Sequence, residues 1–345
     1  MQPATPIMEK RKTTAKYFRF FIHYFLGPLL FIWVSWSIYH QLIKQDRLER
    51  SWQEIKTSFA SSRIIYLVAV ILLMVVNWAL EAFKWKFCIQ RVQQVRFLTA
   101  FKAVLSGVSF AVSTPNRVGE YLGRVLYMDE GNRLKAISLT ITGSLSQLII
   151  TLIMGVSGWI ILAPRLEASH LVSPFWFNGI LYGTIVALIV LTIFYFRLAG
   201  VARWFERIKW IRKYGWLFRA LEEFNATLLL QLLSLSALRF LVFIAQYYLL
   251  FRFFSVEVSW EQTLWTVSVS FLVMAVIPTI ALFTDLSLRW EVSIKLVGMF
   301  SENHLGIWFT SVNIWVINLI IPALAGSLLI LSIKKILLNK NEQQV

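Results

Sequence analysis

The feature that most constrains this chain is the recurrence of unbroken apolar stretches about twenty residues long. Inside hydrocarbon every backbone N–H and C=O needs a partner within the protein, so only helices and closed barrels can span it. A barrel would show ten-residue segments of alternating polarity, and the stretches here do not alternate. The expected fold is an all-α polytopic membrane protein, with 1–345 forming a single integral membrane domain. Six spans are expected, at roughly 20–40, 64–83, 136–163, 174–196, 227–252 and 305–333. Composition agrees: 58% of residues are hydrophobic, with 27 Phe and 15 Trp, and the mean hydropathy is +0.65.

The formal net charge of +16 would suggest nucleic acid in a soluble chain. Here the Lys and Arg residues lie between apolar segments, as in cytoplasmic loops that meet anionic headgroups. Basic clusters occur at 10–19, 84–102 and 197–219, and at Lys334, Lys335 and Lys340. The positive-inside rule assigns all four to the cytoplasmic face of the membrane. Residues 1–19 then form a basic cytoplasmic N-terminus and 334–345 a cytoplasmic tail. Residues 197–222, with Trp204, Trp210 and Trp216, form an interfacial linker. No small-residue cleavage site follows the first apolar run, which reads as a retained helix. Leu48, Trp52, Ile55 and Phe59 place one apolar stripe on 41–62, the pattern of an amphipathic helix lying on the bilayer. Its Lys44, Arg47, Arg50 and Lys56 run against the rule, because this topology puts them outside.

Two further apolar stretches, 97–126 and 262–300, break at Pro115 and Pro278 and resume as charged helices. Treating both as re-entrant hairpins, entering from opposite faces, keeps all four basic clusters on one side. Val108-Ser109-Phe110 and Val269-Ser270-Phe271 precede the two prolines at similar distances. That echo would suit an inverted repeat, and broken helices at matching places point to a transport site. A three-residue identity weighs as much for chance.

Soluble catalytic signatures are missing: no Gly-rich phosphate loop ending in Lys-Ser/Thr, no His-Glu-x-x-His and no Gly-x-Ser-x-Gly. The lone Cys88 excludes an intrachain disulfide, and His23, His40, His170 and His304 are far apart. Nothing calls for a cofactor, a metal or a nucleic acid. The expected partners are membrane lipids with anionic headgroups, and the oligomeric state, a dimer included, is left open.

Ionisable groups within apolar segments are expensive and tend to be functional. In 113–124, Ser113 or Thr114 can cap a helix starting at Pro115, with Arg117, Glu120 and Arg124 on one face. A phosphate site suits that arrangement; a plain Glu120–Arg124 pair with snorkelling arginines suits it too. Gly119 and Gly123 carry the spacing of a close helix approach. Arg239 falls near the midplane of its span, flanked by Gln231 and Gln246, and must face the bundle or a wet cavity. Glu81 suits a counter-charge for an arginine, while Lys84 sits where it can snorkel outward. Arg289 and Glu291 follow the second broken stretch with Asp285 placed to cap, and Glu291 is spaced to pair with Lys295. The candidate substrate-binding set is therefore Arg117, Glu120, Arg124, Arg239, Glu81, Arg289 and Glu291.

Thr114-Pro115-Asn116-Arg117-Val118-Gly119-Glu120, followed by Arg124, resembles the Pro-x-Arg-x-Gly-Glu…Arg signature of the lysylphosphatidylglycerol synthase membrane-domain, or flippase-like, family. That family's second half usually carries Pro-Gly-Gly-x-Gly…Glu. Here the matching region, Pro278-Thr279-Ile280 through Arg289-Trp290-Glu291, keeps proline, arginine and glutamate without the glycines. The resemblance covers about 15–335 and leaves no room for the synthases' aminoacyl-transferase domain. It implies movement of a polar lipid, either a phospholipid or a polyprenyl-phosphate-linked one. Two rivals stand beside it. One is a membrane transferase using a lipid-phosphate donor, with Glu120 or Asp129 as the carboxylate. The other is a non-transporting scaffold, whose buried charges could be neutralised without effect.

Overall fold

The structure is a computed structural model that describes residues 61–112, 118–169, 173–198, 224–277 and 282–342, with scattered positions such as Phe59 and Thr114 beside them. The expected first span at 20–40, most of 41–62 and most of the 197–222 linker lie outside the described residues, as do Pro115, Arg117 and Pro278.

The described chain is helical: α1 Ile64–Ile89, α2 Phe97–Val112, α3 Gly119–Val125, α4 Arg133–Ala168, α5 Pro174–Phe196, α6 Ala226–Phe253, α7 Trp260–Val276, α8 Leu282–Val297, α9 His304–Trp315 and α10 Ile321–Glu342. Five helical segments are long and apolar enough to cross a membrane, with α9 running into α10 as one of them. The protein is thus an all-α, multi-pass membrane protein. α1 continues past the expected end at residue 83, because Trp85, Cys88 and Ile89 are buried beyond it. Inside the last span, Pro322 has no N–H to give Asn318 and its ring crowds that carbonyl. The chain widens into a π-turn over Val316–Ile320, the turn just before the proline.

α1 packs along α6, and α4 lies against α5, α6 and α7. α2 sits among α1, α3 and α10, while α8 folds back on α7 and against α9. α2 with α3, and α7 with α8, are therefore helical hairpins in the two proline-broken stretches. At 1.5 Å per residue, α2 and α7 are about 24–26 Å long, short of the ~30 Å hydrocarbon thickness. Ser259 and Gln262 form a capping box that fixes where α7 begins.

Without water there is little hydrophobic drive between helices, so close backbone approach carries the packing. The α2–α3 hairpin is the clearest instance. A Cβ on Gly123 would lie 2.4 Å from the Ser106 carbonyl oxygen, and one on Gly119 would lie 2.3 Å from that of Phe110. Gly107 returns the contact, facing the Glu120 carbonyl at 2.7 Å. Thr114 supplies the cap, but not at the expected offset: its Oγ1 accepts from the Gly119 N–H at 2.7 Å and donates to the Phe110 carbonyl at 3.1 Å. On the other side of α2, a Cβ on Gly326 would lie 2.0 Å from the Leu105 carbonyl oxygen, so α10 also rides on the α2 backbone.

Candidate functional site

Glu81 is the centre of a buried charge cluster where α1, α3 and α6 meet. It is 4% exposed. Its Oε1 accepts from Arg124 Nη2 at 2.9 Å. Its Oε2 accepts from Arg239 Nη1 at 2.6 Å and lies 2.8 Å from Lys84 Nζ. Arg124 is also paired with Glu120, one turn back on α3. Three cations thus share two carboxylates. A buried carboxylate is tolerable only with such partners, since an unpaired charge in low dielectric is costly.

Lys84 corrects an expectation. It does not snorkel outward; it turns inward to Glu81 and is 2% exposed. The cause is the cover laid over the end of α1 by α2 and α4. On α4, Gly143 leaves the space that the lysine stem uses, its Cβ position lying 3.8 Å from Lys84 Cε.

Arg239 lies midway along the 28 residues of α6. Besides Glu81, its Nε donates to Asn77 Oδ1 at 2.8 Å. Asn77 Nδ2 donates to Asn318 Oδ1 at 3.3 Å, and Asn318 Nδ2 reaches the Ile314 carbonyl at 3.3 Å. The arginine is therefore tied by two asparagines to the π-turn beside Pro322. Its guanidinium carbon stands 5.2 Å from the Trp78 ring centre and 5.6 Å from that of Phe243, within cation–π range.

One face of Arg239 lines a cavity of about 510 Å³. Arg289 lines it as well, from α8. Arg289 Nη1 donates to the Tyr247 hydroxyl at 3.1 Å, and Nη2 is 3.5 Å from Asp285 Oδ2. Phe240, Phe243 and Phe271 supply apolar walls, and Gln147, Thr151 and Asn318 supply neutral polar groups. A mostly apolar cavity with a few convergent polar groups is the ordinary form of a ligand site.

The cluster and the cavity join five of the seven candidate residues: Glu81, Glu120 and Arg124 in the cluster, Arg239 in both, and Arg289 in the cavity. Glu291 is elsewhere: it pairs with Lys295 at 3.1 Å, both half exposed, and does not line the cavity. Arg117 lies outside the described residues. Of the glutamines that flank Arg239, Gln246 is buried and donates to the Val70 carbonyl at 3.0 Å, while Gln231 is exposed. Asn318 and Tyr247 carry no motif that would single them out. Their only signal is a polar group inside an apolar span.

No curated protein matches the chain. The family described as the lysylphosphatidylglycerol synthase transmembrane region matches residues 24–283, which include the Glu81 cluster and Arg239 and stop just short of Asp285 and Arg289. Membership carries a membrane-domain role in lipid-related processes. With well over half its length in that match, the chain belongs to the lysylphosphatidylglycerol synthase transmembrane-region family.

Proposed function

We propose that the chain is a flippase-like transporter that moves a polar or anionic lipid across the inner membrane. The observation that carries this reading is Arg239: a charge at the middle of a span, open on one face to a cavity with a second arginine. An arginine there costs at least ~2.5–3.5 kcal/mol by insertion scales. Glu81 and Asn77 offset part of that cost. A purely structural pair would not also need a cavity beside it. In the empty state Glu81 holds Arg239, and a headgroup phosphate entering the cavity competes for the same guanidinium. Arg124, closed between Glu81 and Glu120, positions Glu81 rather than touching the substrate. The two helical hairpins dip into the bilayer from opposite faces and bound the path.

The test is leaflet-resolved lipid movement in proteoliposomes. Arg239→Leu should leave folded protein, since Glu81 keeps Arg124 and Lys84, and should abolish movement. Arg239→Lys should retain part of it. Wild-type movement in Arg239→Leu would sink the reading, and loss of the protein itself would assign Arg239 a structural role. Topology has its own expected result. In a Cys88→Ala background, cysteines at Arg96 and Glu130 should label from the same side, because α2 and α3 enter and leave together. Labelling from opposite sides would overturn the re-entrant hairpin.

A further inference from the structure

We infer that the cavity between Arg239 and Arg289 takes a phosphodiester headgroup with one net negative charge, and discriminates against headgroups that carry an added ammonium. This deepens the transport reading and rests on it only for the lipid's path, since binding is an equilibrium property of the cavity.

The argument is a charge inventory. Among the described residues, the cluster and the cavity hold Lys84, Arg124, Arg239 and Arg289 against Glu81, Glu120 and Asp285. One positive charge is left over, which a monoanion neutralises. Every carboxylate is already committed to a cation: Glu81 to three, Glu120 to Arg124 and Asp285 to Arg289. The ammonium of an aminoacylated lipid would enter without a free carboxylate to meet it, beside two guanidinium groups. A dianionic phosphomonoester would reverse the excess.

The unsatisfied polar atoms point to the same ligand. Among the described residues, Arg289 Nε, Trp78 Nε1 and Trp315 Nε1 are buried donors without a hydrogen-bond partner; their side chains line this cavity, and a phosphate meets the nitrogens as those side chains turn toward it. Unpaired buried donors are costly, and phosphate oxygens are strong acceptors for them. Gln147 Oε1, on the α4 wall, is a buried acceptor without a partner and is uncharged. Turned into the cavity, it would accept from a hydroxyl of the headgroup.

The experiment is native mass spectrometry of the purified full chain in detergent. The probes are an equimolar mixture of phosphatidylglycerol, phosphatidylethanolamine, phosphatidic acid and lysylphosphatidylglycerol, with inorganic phosphate as a separate competitor. Phosphatidylglycerol should be retained about tenfold more than lysylphosphatidylglycerol, the equivalent of one charge-assisted hydrogen bond, and more than the other two lipids. Arg289→Gln should lower that retention by about tenfold on the same grounds. Trp315→Phe, which removes the N–H together with part of the indole ring, should lower it by about threefold. Equal or better retention of lysylphosphatidylglycerol would overturn the inference. So would unchanged phosphatidylglycerol retention in a folded Arg289→Gln protein or, if that variant does not fold, in Trp315→Phe. Stripping of the lipid by equimolar inorganic phosphate would also overturn it, because the site would then take phosphate without the lipid. Selective retention without lipid movement in proteoliposomes would instead defeat the transport reading and leave this one standing.

Discussion

Glu81→Ala should remove most of the folded protein. Among the described residues, Glu81 is the sole carboxylate bridging Arg124, Arg239 and Lys84. Without it, among these described partners, Lys84 keeps no carboxylate, Arg239 keeps the Asn77 oxygen and Arg124 keeps Glu120. Breaking a buried ion pair by deleting one partner costs about 3–5 kcal/mol, because the surviving charge stays buried. Here three cations lose the same partner, so the expected loss is at the upper end of that range. Lys84→Met alone should be near neutral, since Glu81 retains both arginines and an apolar chain fills the lysine's space. The double variant Glu81→Gln with Lys84→Met removes one charge of each sign, and should recover part of the lost stability. The measurement is the thermal midpoint and monodisperse yield by fluorescence-detected size exclusion in detergent. A Glu81→Ala protein as stable as the parent would show that water reaches the cluster, and the buried-network account would fail.

Gly123→Val should be as damaging by a route that involves no charge. The first side-chain atom would meet the Ser106 carbonyl oxygen at 2.4 Å and the Gly107 Cα at 2.5 Å. Both are backbone atoms of α2, which cannot rotate away as a side chain can. α3 would have to lift off α2, taking Arg124 out of reach of Glu81. Overpacking of a tight contact costs about 1–3 kcal/mol even where side chains can move. Here the backbone must shift, so both folded yield and lipid movement should fall. Gly131→Val is the control: among the described residues nothing lies within 4 Å of its Cβ position, and it should behave as the parent. Equal behaviour of the two variants would mean that the α2–α3 hairpin is not the close-packed unit described here.

The helices are legible in the amino-acid order because their signal is local. A stretch such as 174–196 is apolar along its whole length, and α5 occupies the same residues. The breaks at Pro115 and Pro278 were equally readable, since proline and the charges after it disfavour a continuing span. Ends were less readable where charge and burial disagree. The apolar span reads as ending at residue 83, just before Lys84, yet Trp85 and Ile89 are buried beyond it. That burial comes from α2 and α4, which no local pattern announces.

The charged residues divide in the same way. Their presence in apolar segments marked Glu81, Arg124, Arg239 and Arg289 as expensive, and expense is a property of each residue alone. Pairing is a property of the fold. Glu120 and Arg124 are one turn apart, so their contact follows from helix geometry. Glu81 reaches Arg124 across 43 positions and Arg239 across 158, and only the packing of α1 against α6 and of α3 beside them decides that. The same packing turned Lys84 inward, set Glu291 apart with Lys295 and put Arg289 on the cavity of Arg239. Amino-acid order alone determined an all-α chain of membrane spans with two broken stretches and a few costly charges. The tertiary structure decided which of those charges neutralise one another, because a buried charge is stabilised only by the partner that the packed helices bring within hydrogen-bonding distance.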